Sequence, residues 1–451
     1  MNTRTSRRAP RPEDERLHWT KNLAHGMQHV LSMYGGIIAP PLIIGTAAGL
    51  SSTEIGVLIA SCLFIGGLAT ILQTIGLPFF GSQLPLVQGT SFASVATLVA
   101  IVGGGGGLPA VFGAVLGAAA IGLLIAPFFA RIVRFFPPVV TGVVITTIGI
   151  SLIPVAARWA MGGSATADDY GSVGNIALAG ATLLIALVLS RVRAFGINRM
   201  AILLALVLGT VIAFIAGKTD FSSVGDGAIF AIPQPFAFGL PVFEISGIIS
   251  MVIVVLVILT ETTADMLAVG QITGSKVDSR RIADGLRADM LSSVVAPVFN
   301  TFTQSAFAQN VGLVAITGVK SRFVVATGGG ILLVLGLLPV LGRVVATLPM
   351  AVLGGAGILL FGTVAASGIR TLSKVQYENN FNFLIVAASL AIGCIPVVAP
   401  DFFDQFPSWF STVFHSGISS AAIAAVLLNL LFNEIGRKRH PVESEAAPTT
   451  A

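Results

Sequence analysis

Charged residues are scarce in this chain of 451 residues. Asp, Glu, Lys and Arg make up 10% of it and hydrophobic residues 55%, whereas soluble domains usually carry about 25% charged residues. The mean hydropathy is +0.93. This composition excludes an ordinary soluble domain and indicates a protein that crosses the membrane several times.

Cysteines and enzyme motifs are equally scarce. The two cysteines, Cys62 and Cys394, lie in apolar runs and are interpreted as packing residues, so they do not indicate a redox compartment. The sequence contains no HExxH, no GxSxG and no glycine-rich phosphate loop, because GGGGG at 103–107 precedes no Lys-Ser/Thr pair. An intramembrane enzyme is therefore disfavoured. The net charge of +5 gives no indication of nucleic-acid binding.

Hydrophobic runs recur along the whole chain and divide it into about fourteen segments. Runs near 20 residues are long enough to cross roughly 30 Å of hydrocarbon. The segments span 22–47, 53–76, 84–102, 107–133, 138–157, 174–192, 197–217, 242–270, 283–302, 307–319, 322–342, 347–368, 380–398 and 415–433.

Basic residues cluster in alternate loops, which predicts the orientation of the chain. The polar N-terminus is unlike a cleavable signal and is interpreted as a cytoplasmic tail. The even-numbered loops and the C-terminal GRKRH are basic, whereas the loops ATADDYGS and APDFFDQF are acidic. The positive-inside rule then places both termini in the cytoplasm of a multi-pass protein of the cell membrane.

Two stretches repeat weakly. RIVRFFPPVVTG at 131–142 resembles RVVATLPMAVLG at 343–354, and the same offset relates Arg158 to Arg370. Because the offset spans an odd number of segments, equivalent helices would cross the membrane in opposite directions. The match indicates two inverted halves, an arrangement common in secondary transporters; a chance match is the alternative.

The third and tenth segments are short and begin with polar residues. LVQGTSFASVATLV at 86–99 and TQSAFAQNVGLVAITG at 303–318 occupy corresponding places in the two halves. An interrupted segment leaves free backbone N–H groups and a positive dipole end at a helix start near the midplane. The two segments therefore predict a polar pocket for an oxygen-bearing solute, lined by Gln309.

Two carboxylates lie deep in the eighth segment. Glu261 and Asp265 are four residues apart and share one helical face. A carboxylate at the membrane centre costs on the order of 2.5–3.5 kcal/mol on insertion scales. The pair therefore indicates a substrate or proton ligand. The alternative is an ion pair between helices, but no Lys or Arg lies in the confidently apolar part of a neighbouring segment.

Three further residues have both a functional and a plain interpretation. His29, in HGMQHVLSMYGG, is either a proton carrier or a hydrogen-bonding residue between helices. Asp289 is either a helix-start acid or a coupling group. Ser91 and Phe92 stand where the third segment becomes helical, and Phe92 is either a packing residue or a ring that stacks on a flat solute.

Five motifs, in this order, resemble the nucleobase–ascorbate transporter family: QHVLSMYGG, LPLVQGTSFASV, ETTAD, ADMLSS and QNVGLVAITG. The last resembles the family signature Gln/Glu/Pro-Asn-x-Gly-x4-Thr-Arg/Lys/Gly. The resemblance covers about residues 20–435 and is greatest to the xanthine and uric acid permeases, since the uracil branch has Glu where this chain has Gln309.

The resemblance implies an all-α polytopic fold of fourteen spans in two inverted seven-span repeats. Spans 3 and 10 would be half-helices preceded by short strands. It also implies a homodimer formed through the gate domains. The implied parts are a cytoplasmic tail (1–20), a core domain (21–134 and 241–343), a gate domain (135–240 and 344–434) and a second cytoplasmic tail (435–451).

The resemblance also implies roles for single residues. Glu261 and Gln309 match the two main substrate ligands, Phe92 a stacking ring and Ala308 a backbone contact. Ser91 and Asn310 match positions that concern affinity and are predicted as further substrate-binding residues. The remaining matched positions are predicted to concern coupling or conformation: Asp265, His29, Asp289, Gly312 and Thr317. Val311 and Gly318 depart from patterns in other carriers, which leaves the choice of purine open.

The sequence therefore predicts a carrier that imports xanthine or uric acid by proton symport, with an elevator-like alternating access. The alternatives are a carrier of uracil, guanine or hypoxanthine, and an anion carrier of the same architecture, although Glu261 would repel an anion. A passive channel is disfavoured by side chains suited to one compact solute. No cofactor is expected beyond the coupling proton, and sodium coupling stays an alternative.

Overall fold

The computed structural model describes residues 11–192, 194–219, 221–225, 227–378 and 381–435, and this part of the chain is mostly helical. Its strands are β1 (Gln88–Thr90) and β2 (Gln304–Ala306). Its α-helices are α1 (Trp19–Ala47), α2 (Ser52–Ile75), α3 (Phe92–Ile101), α4 (Gly107–Ile125), α5 (Phe129–Ile132), α6 (Pro138–Ala160), α7 (Val173–Arg191), α8 (Ala201–Ile215), α9 (Ile245–Thr273), α10 (Ser279–Val295), α11 (Ala308–Thr317), α12 (Arg322–Gly336), α13 (Pro339–Ala346), α14 (Met350–Leu372), α15 (Phe381–Val398), α16 (Ser408–Phe414) and α17 (Gly417–Asn429).

The length and hydropathy of these helices confirm a polytopic membrane protein. Within the described residues, nine helical stretches are long and apolar enough to cross a bilayer, or ten if the bent pair α12 and α13, at 78°, is one span. Each of the fourteen hydrophobic segments contains a helix. The fourteen-span count, the inverted repeat and the orientation stay predictions; the tail residues 1–10 and 436–451 lie outside the described part.

Local signals explain where several helices begin and approach one another. Ser51 caps α2: its backbone N–H donates to Glu54 Oε2 at 2.8 Å, and its hydroxyl accepts from the Glu54 N–H. Gly67 lets α2 approach α12, because a Cβ there would lie 2.6 Å from the Gly329 carbonyl oxygen. Small residues permit such close helix contacts in membranes, where packing rather than hydrophobicity drives association.

The two strands form one antiparallel pair, with Gln88 opposite Ala306, Gly89 opposite Ser305 and Thr90 opposite Gln304. All six residues except Ala306 are buried. The pairing is physically required, because backbone polar groups without partners are costly at membrane depth. As predicted, the third and tenth segments are half-helices that follow short strands.

The helices pack in two groups, and the strand pair lies against α1, α2, α9 and α10 of the first group. In one group α2 packs against α1, α12 and α13, and α4 against α9 and α10; in the other, α14 packs against α6 and α7, and α15 against α17. A separate apolar cluster within the second group joins α6, α14, α15 and α17. The division into core and gate domains stays a prediction.

Candidate functional site

The pairing of β1 with β2 brings the starts of α3 and α11 to the same cavity. β1 leads through Ser91 into α3, and β2 leads through Phe307 into α11. Ser91 holds the first turn, because its N–H donates to the Thr303 carbonyl at 2.9 Å and its hydroxyl accepts from the Ala93 N–H at 3.3 Å. Both helix starts can therefore present backbone N–H groups to a ligand.

A cavity of about 810 Å³ lies beside these helix starts. Its size falls within the range of small-molecule sites, about 300–1,000 Å³. One wall carries residues predicted for substrate binding, coupling or conformation: Ser91, Phe92, Glu261, Asp265, Ala308, Gln309 and Gly312. The opposite wall comes from α6 and α14, which contribute Thr141, Ile145, Ile148, Thr363, Ser367, Arg370 and Thr371.

Glu261 and Asp265 both face the cavity from α9, as their four-residue spacing predicts. Within the described part of the chain, neither side chain forms a salt bridge or a hydrogen bond to a protein group. An interhelical ion pair, the plain alternative, is therefore not what the structure contains. Their oxygens are free to accept hydrogen bonds from a solute or to hold a proton.

The adjacent amides Gln309 and Asn310 point to different places. Gln309 is exposed to the cavity beside Ala308 and Gly312. Asn310 is fully buried, and its amide donates to the Met33 sulfur at 3.0 Å. Asn310, predicted as a substrate ligand, thus does not line the cavity. Through Met33, Asn310 can affect the position of α1 relative to α11.

His29 and Thr317 also lie away from the cavity. His29 is buried on α1 next to Asn310, and its Nδ1 has no protein partner among the described residues. Thr317 ends α11, where its hydroxyl donates to the Leu313 carbonyl at 2.8 Å. Their predicted roles in coupling or conformation, if they have them, must be indirect.

Three aromatic rings form a wall next to the ligands. The Phe92 ring centre lies 6.3 Å from that of Phe307 and 6.2 Å from that of Phe361. Gly89 makes room for this cluster, because a Cβ there would lie 2.6 Å from Phe307 Cε2. Phe92 faces the cavity as predicted, whereas Phe307 gave no distinguishing signal in the sequence.

Asp289 is buried behind the cavity wall rather than in it. Its carboxylate accepts from the Thr262 hydroxyl at 2.7 Å and from the Gln73 amide at 3.1 Å. The Thr262 hydroxyl also accepts from the Ala306 N–H at 3.4 Å. Asp289 therefore connects α10 to α2, α9 and β2, and is more than a helix-start acid.

The polar face of α14 is a feature that the sequence interpretation missed. Thr363, Ser367 and Thr371 are spaced four residues apart, which places them on one face toward the cavity. That spacing was a usable signal. Arg370 and Lys374 line the same side. Within the described residues no cluster of His, Cys, Asp and Glu is arranged to hold a metal ion.

The cavity lies beside the starts of two half-helices that follow paired strands in a polytopic membrane protein, an arrangement typical of secondary transporters. Residues 20–402 match the sequence model Xan_ur_permease, described as "Permease family". The chain belongs to this permease family and is not an enzyme.

Two relatives illustrate the similarity. The chain is 41% identical over 411 residues to the uric acid transporter UacT of Escherichia coli (strain K12), covering 90% of this chain and 85% of the relative. It is 40% identical over 426 residues to the xanthine permease of Bacillus subtilis (strain 168), covering 94% and 97%.

Solved structures support the fold alone. The transmembrane domain of a cyanobacterium bicarbonate transporter, BicA, is similar with a TM-score of 0.61 at 19% identity. The similarity covers 92% of this chain and all of that domain. At this identity the substrate of that protein carries no information about this one.

Proposed function

We propose that this chain transports a purine nucleobase, with xanthine, uric acid or both as its substrates. The names of the relatives support the substrate class. The single observation that carries the proposal is that Glu261, Gln309 and Phe92 line one cavity beside two half-helix starts.

The cavity suits the chemistry of an oxopurine. Glu261 can accept two N–H bonds from one ring edge, and Gln309 offers both a donor and an acceptor for an alternating edge. The Phe92 ring provides a flat apolar surface, and the helix starts provide N–H donors for ring carbonyls. A ring that lacks one N–H would leave a buried carboxylate oxygen unpaired, which is the basis of discrimination.

Proton symport is the finer part of the proposal. Asp265 lies one turn from Glu261 on the cavity wall, and two close carboxylates in a poorly solvated site disfavour double ionisation. A proton held by Asp265 would leave Glu261 ionised for the purine. Because two carboxyl groups this close would bind protons as a coupled pair, the proton is assigned to the pair rather than to one residue, and His29, away from the cavity, would act indirectly.

Movement of the core group against the gate group would give alternating access. The cavity extends to Phe136, Ile272 and Lys374, near the ends of α6, α9 and α14 that the sequence predicts to be cytoplasmic. Toward the opposite side, Thr97 of α3 and Ser416 at the start of α17 share a buried hydrogen bond of 2.7 Å. An elevator-like cycle requires that bond to break.

The homodimer stays part of the proposal and rests on the family resemblance. Cross-linking in native membranes tests it directly: a cross-linked product whose mass is twice that of the chain identifies the dimer. A monomer that transports at the full rate would contradict a functional need for the dimer.

Uptake of labelled purines tests the substrate assignment. Cells that lack their own purine permeases should accumulate xanthine or uric acid when they express this chain, and unlabelled uracil should compete poorly. Glu261→Gln should abolish uptake, whereas Glu244→Gln, on the exposed start of the same helix, should not. Uptake of bicarbonate without any purine uptake would favour an anion carrier instead.

Reconstituted vesicles test the coupling ion. In sodium-free vesicles with an acidic outside, purine should accumulate above equilibrium. Accumulation only under an inward sodium gradient at equal pH would overturn proton symport and give Asp265 a sodium-binding or structural role.

A further inference from the structure

The segment before α1 makes buried polar contacts, although it lies outside the region matched by the family model. That match begins at residue 20. Residues 11–17, here called the N-terminal clasp, include one turn of 3-10 helix at Pro12–Asp14 and contact the turn after α9 and the starts of α10 and α12.

Glu13 is the centre of the clasp and is fully buried. Its carboxylate accepts from the Arg281 guanidinium at 2.5 Å and also from the Ser275 hydroxyl. Arg281 in turn donates to the carbonyl oxygens of Ser82 at 2.6 Å and Gln83 at 2.9 Å. One ion pair thus holds the turn after α9 and the segment leading to β1.

A second set of contacts lies beside the first. Asp14 accepts from Arg322 Nε at 2.7 Å, and the same guanidinium donates to the carbonyl oxygens of Thr74 and Ile75 at 2.8 and 2.9 Å. The Ser321 hydroxyl donates to the Glu15 carbonyl at 2.6 Å. These contacts hold the end of α2 and the short connection from α11 to α12.

Each of the three connections held by the clasp adjoins an element that carries a cavity residue. The segment 76–87 leads into β1 and α3, the turn 274–278 follows α9, and residues 318–321 follow α11. These three elements carry the cavity residues Phe92, Glu261 and Gln309. The clasp therefore ties together, at one end, the elements that must hold the ligand groups in a fixed relation.

We propose that the N-terminal clasp is a positioning element for the binding site, with Glu13 and Arg281 as positioning residues. Released, the three connections would move independently, and the ligand groups would be less well aligned for a flat solute. Couplings of this kind through packed elements change affinity by roughly two- to thirty-fold. The transport readout rests on the proposed function, whereas the structural readout below does not.

Hydrogen exchange of the purified protein in lipid nanodiscs is the substrate-independent test. Glu13→Gln should speed amide exchange in 76–87, 274–278 and 318–321 together, without changing α14 and α15. Glu15→Gln is the matched control, because the Glu15 side chain is exposed and forms no ion pair among the described residues. Faster exchange confined to residues 11–17 would overturn the proposal.

Uptake kinetics provide the second test. Glu13→Gln and Arg281→Gln should each raise KM by roughly two- to thirty-fold. The KM of the double variant should be no higher than that of Arg281→Gln alone, because both changes remove the same interaction. An unchanged KM with less protein in the membrane would show a merely structural role and overturn the proposal. If the unaltered chain takes up no purine, the proposed function fails, and hydrogen exchange still decides on the clasp.

Discussion

Replacement of Glu261 by Gln is the sharpest test of the candidate site. The carboxylate lines the cavity and has no salt-bridge partner among the described residues, so its hydrogen-bonding capacity is available to the solute. A hydrogen bond to a charged group contributes about 1.5–3 kcal/mol. Loss of one such bond should weaken purine binding by about 10- to 150-fold, since each 1.4 kcal/mol is roughly tenfold.

The same change should not harm the fold. A carboxylate at the membrane centre costs on the order of 2.5–3.5 kcal/mol, so its removal relieves a cost and the amount of protein in the membrane should be maintained. Equilibrium binding of labelled xanthine to purified Glu261→Gln measures affinity separately from transport, with Glu244→Gln as the control. Affinity within about threefold of the unaltered chain, well below the expected tenfold loss, would refute the assignment.

Three further results are expected. Gln309→Asn should weaken affinity and alter the ranking of purine competitors, because the amide no longer reaches the ring edge; an unchanged ranking would exclude direct contact. Gly67→Val should lower the melting temperature, since a Cβ there lies 2.6 Å from the Gly329 carbonyl and overpacking costs about 1–3 kcal/mol; Gly330→Val, with open space around its Cβ, should not. Burial raises the pKa of Glu13, but hydrogen bonds from Ser275 and Arg281 outweigh burial and hold the pKa below its ordinary value of 4.5. The clasp should therefore be fully stable above that pH and loosen only as pH falls through the lowered pKa. Faster hydrogen exchange in residues 274–278 already at pH 6 would contradict this predicted pH dependence.

Features with a strong local signal were predictable from the sequence. The half-helices follow from short segments with polar starts, whereas the strands before them were implied only by the family resemblance. Glu261 and Asp265 share a face because of their spacing. The separation of Gln309 from Asn310 was not predictable. Successive residues on a helix point about 100° apart, so the face that meets the cavity depends on a helix start that the sequence locates only within a few residues.

Features that depend on distant partners were missed. Phe307 resembles any membrane phenylalanine until Gly89, on the other strand, makes room for its ring. Glu13 lies in a short polar stretch without periodicity, and its partner Arg281 is far along the chain. No local sequence pattern predicts such a pairing. The four-residue spacing of Thr363 and Ser367, in contrast, does predict a polar face.

The strand pair has a consequence for synthesis. Ala306 follows its partner Gln88 by 218 residues, and chains grow at about 5–20 residues per second. On the order of 10–40 s therefore passes between the emergence of β1 and that of the strand that pairs with it. During that interval the backbone groups of β1 lack their final partners at a depth where lipid offers none. The first half of the chain must wait in water, in the insertion machinery or against a chaperone, so the binding site is completed only after the second half has emerged.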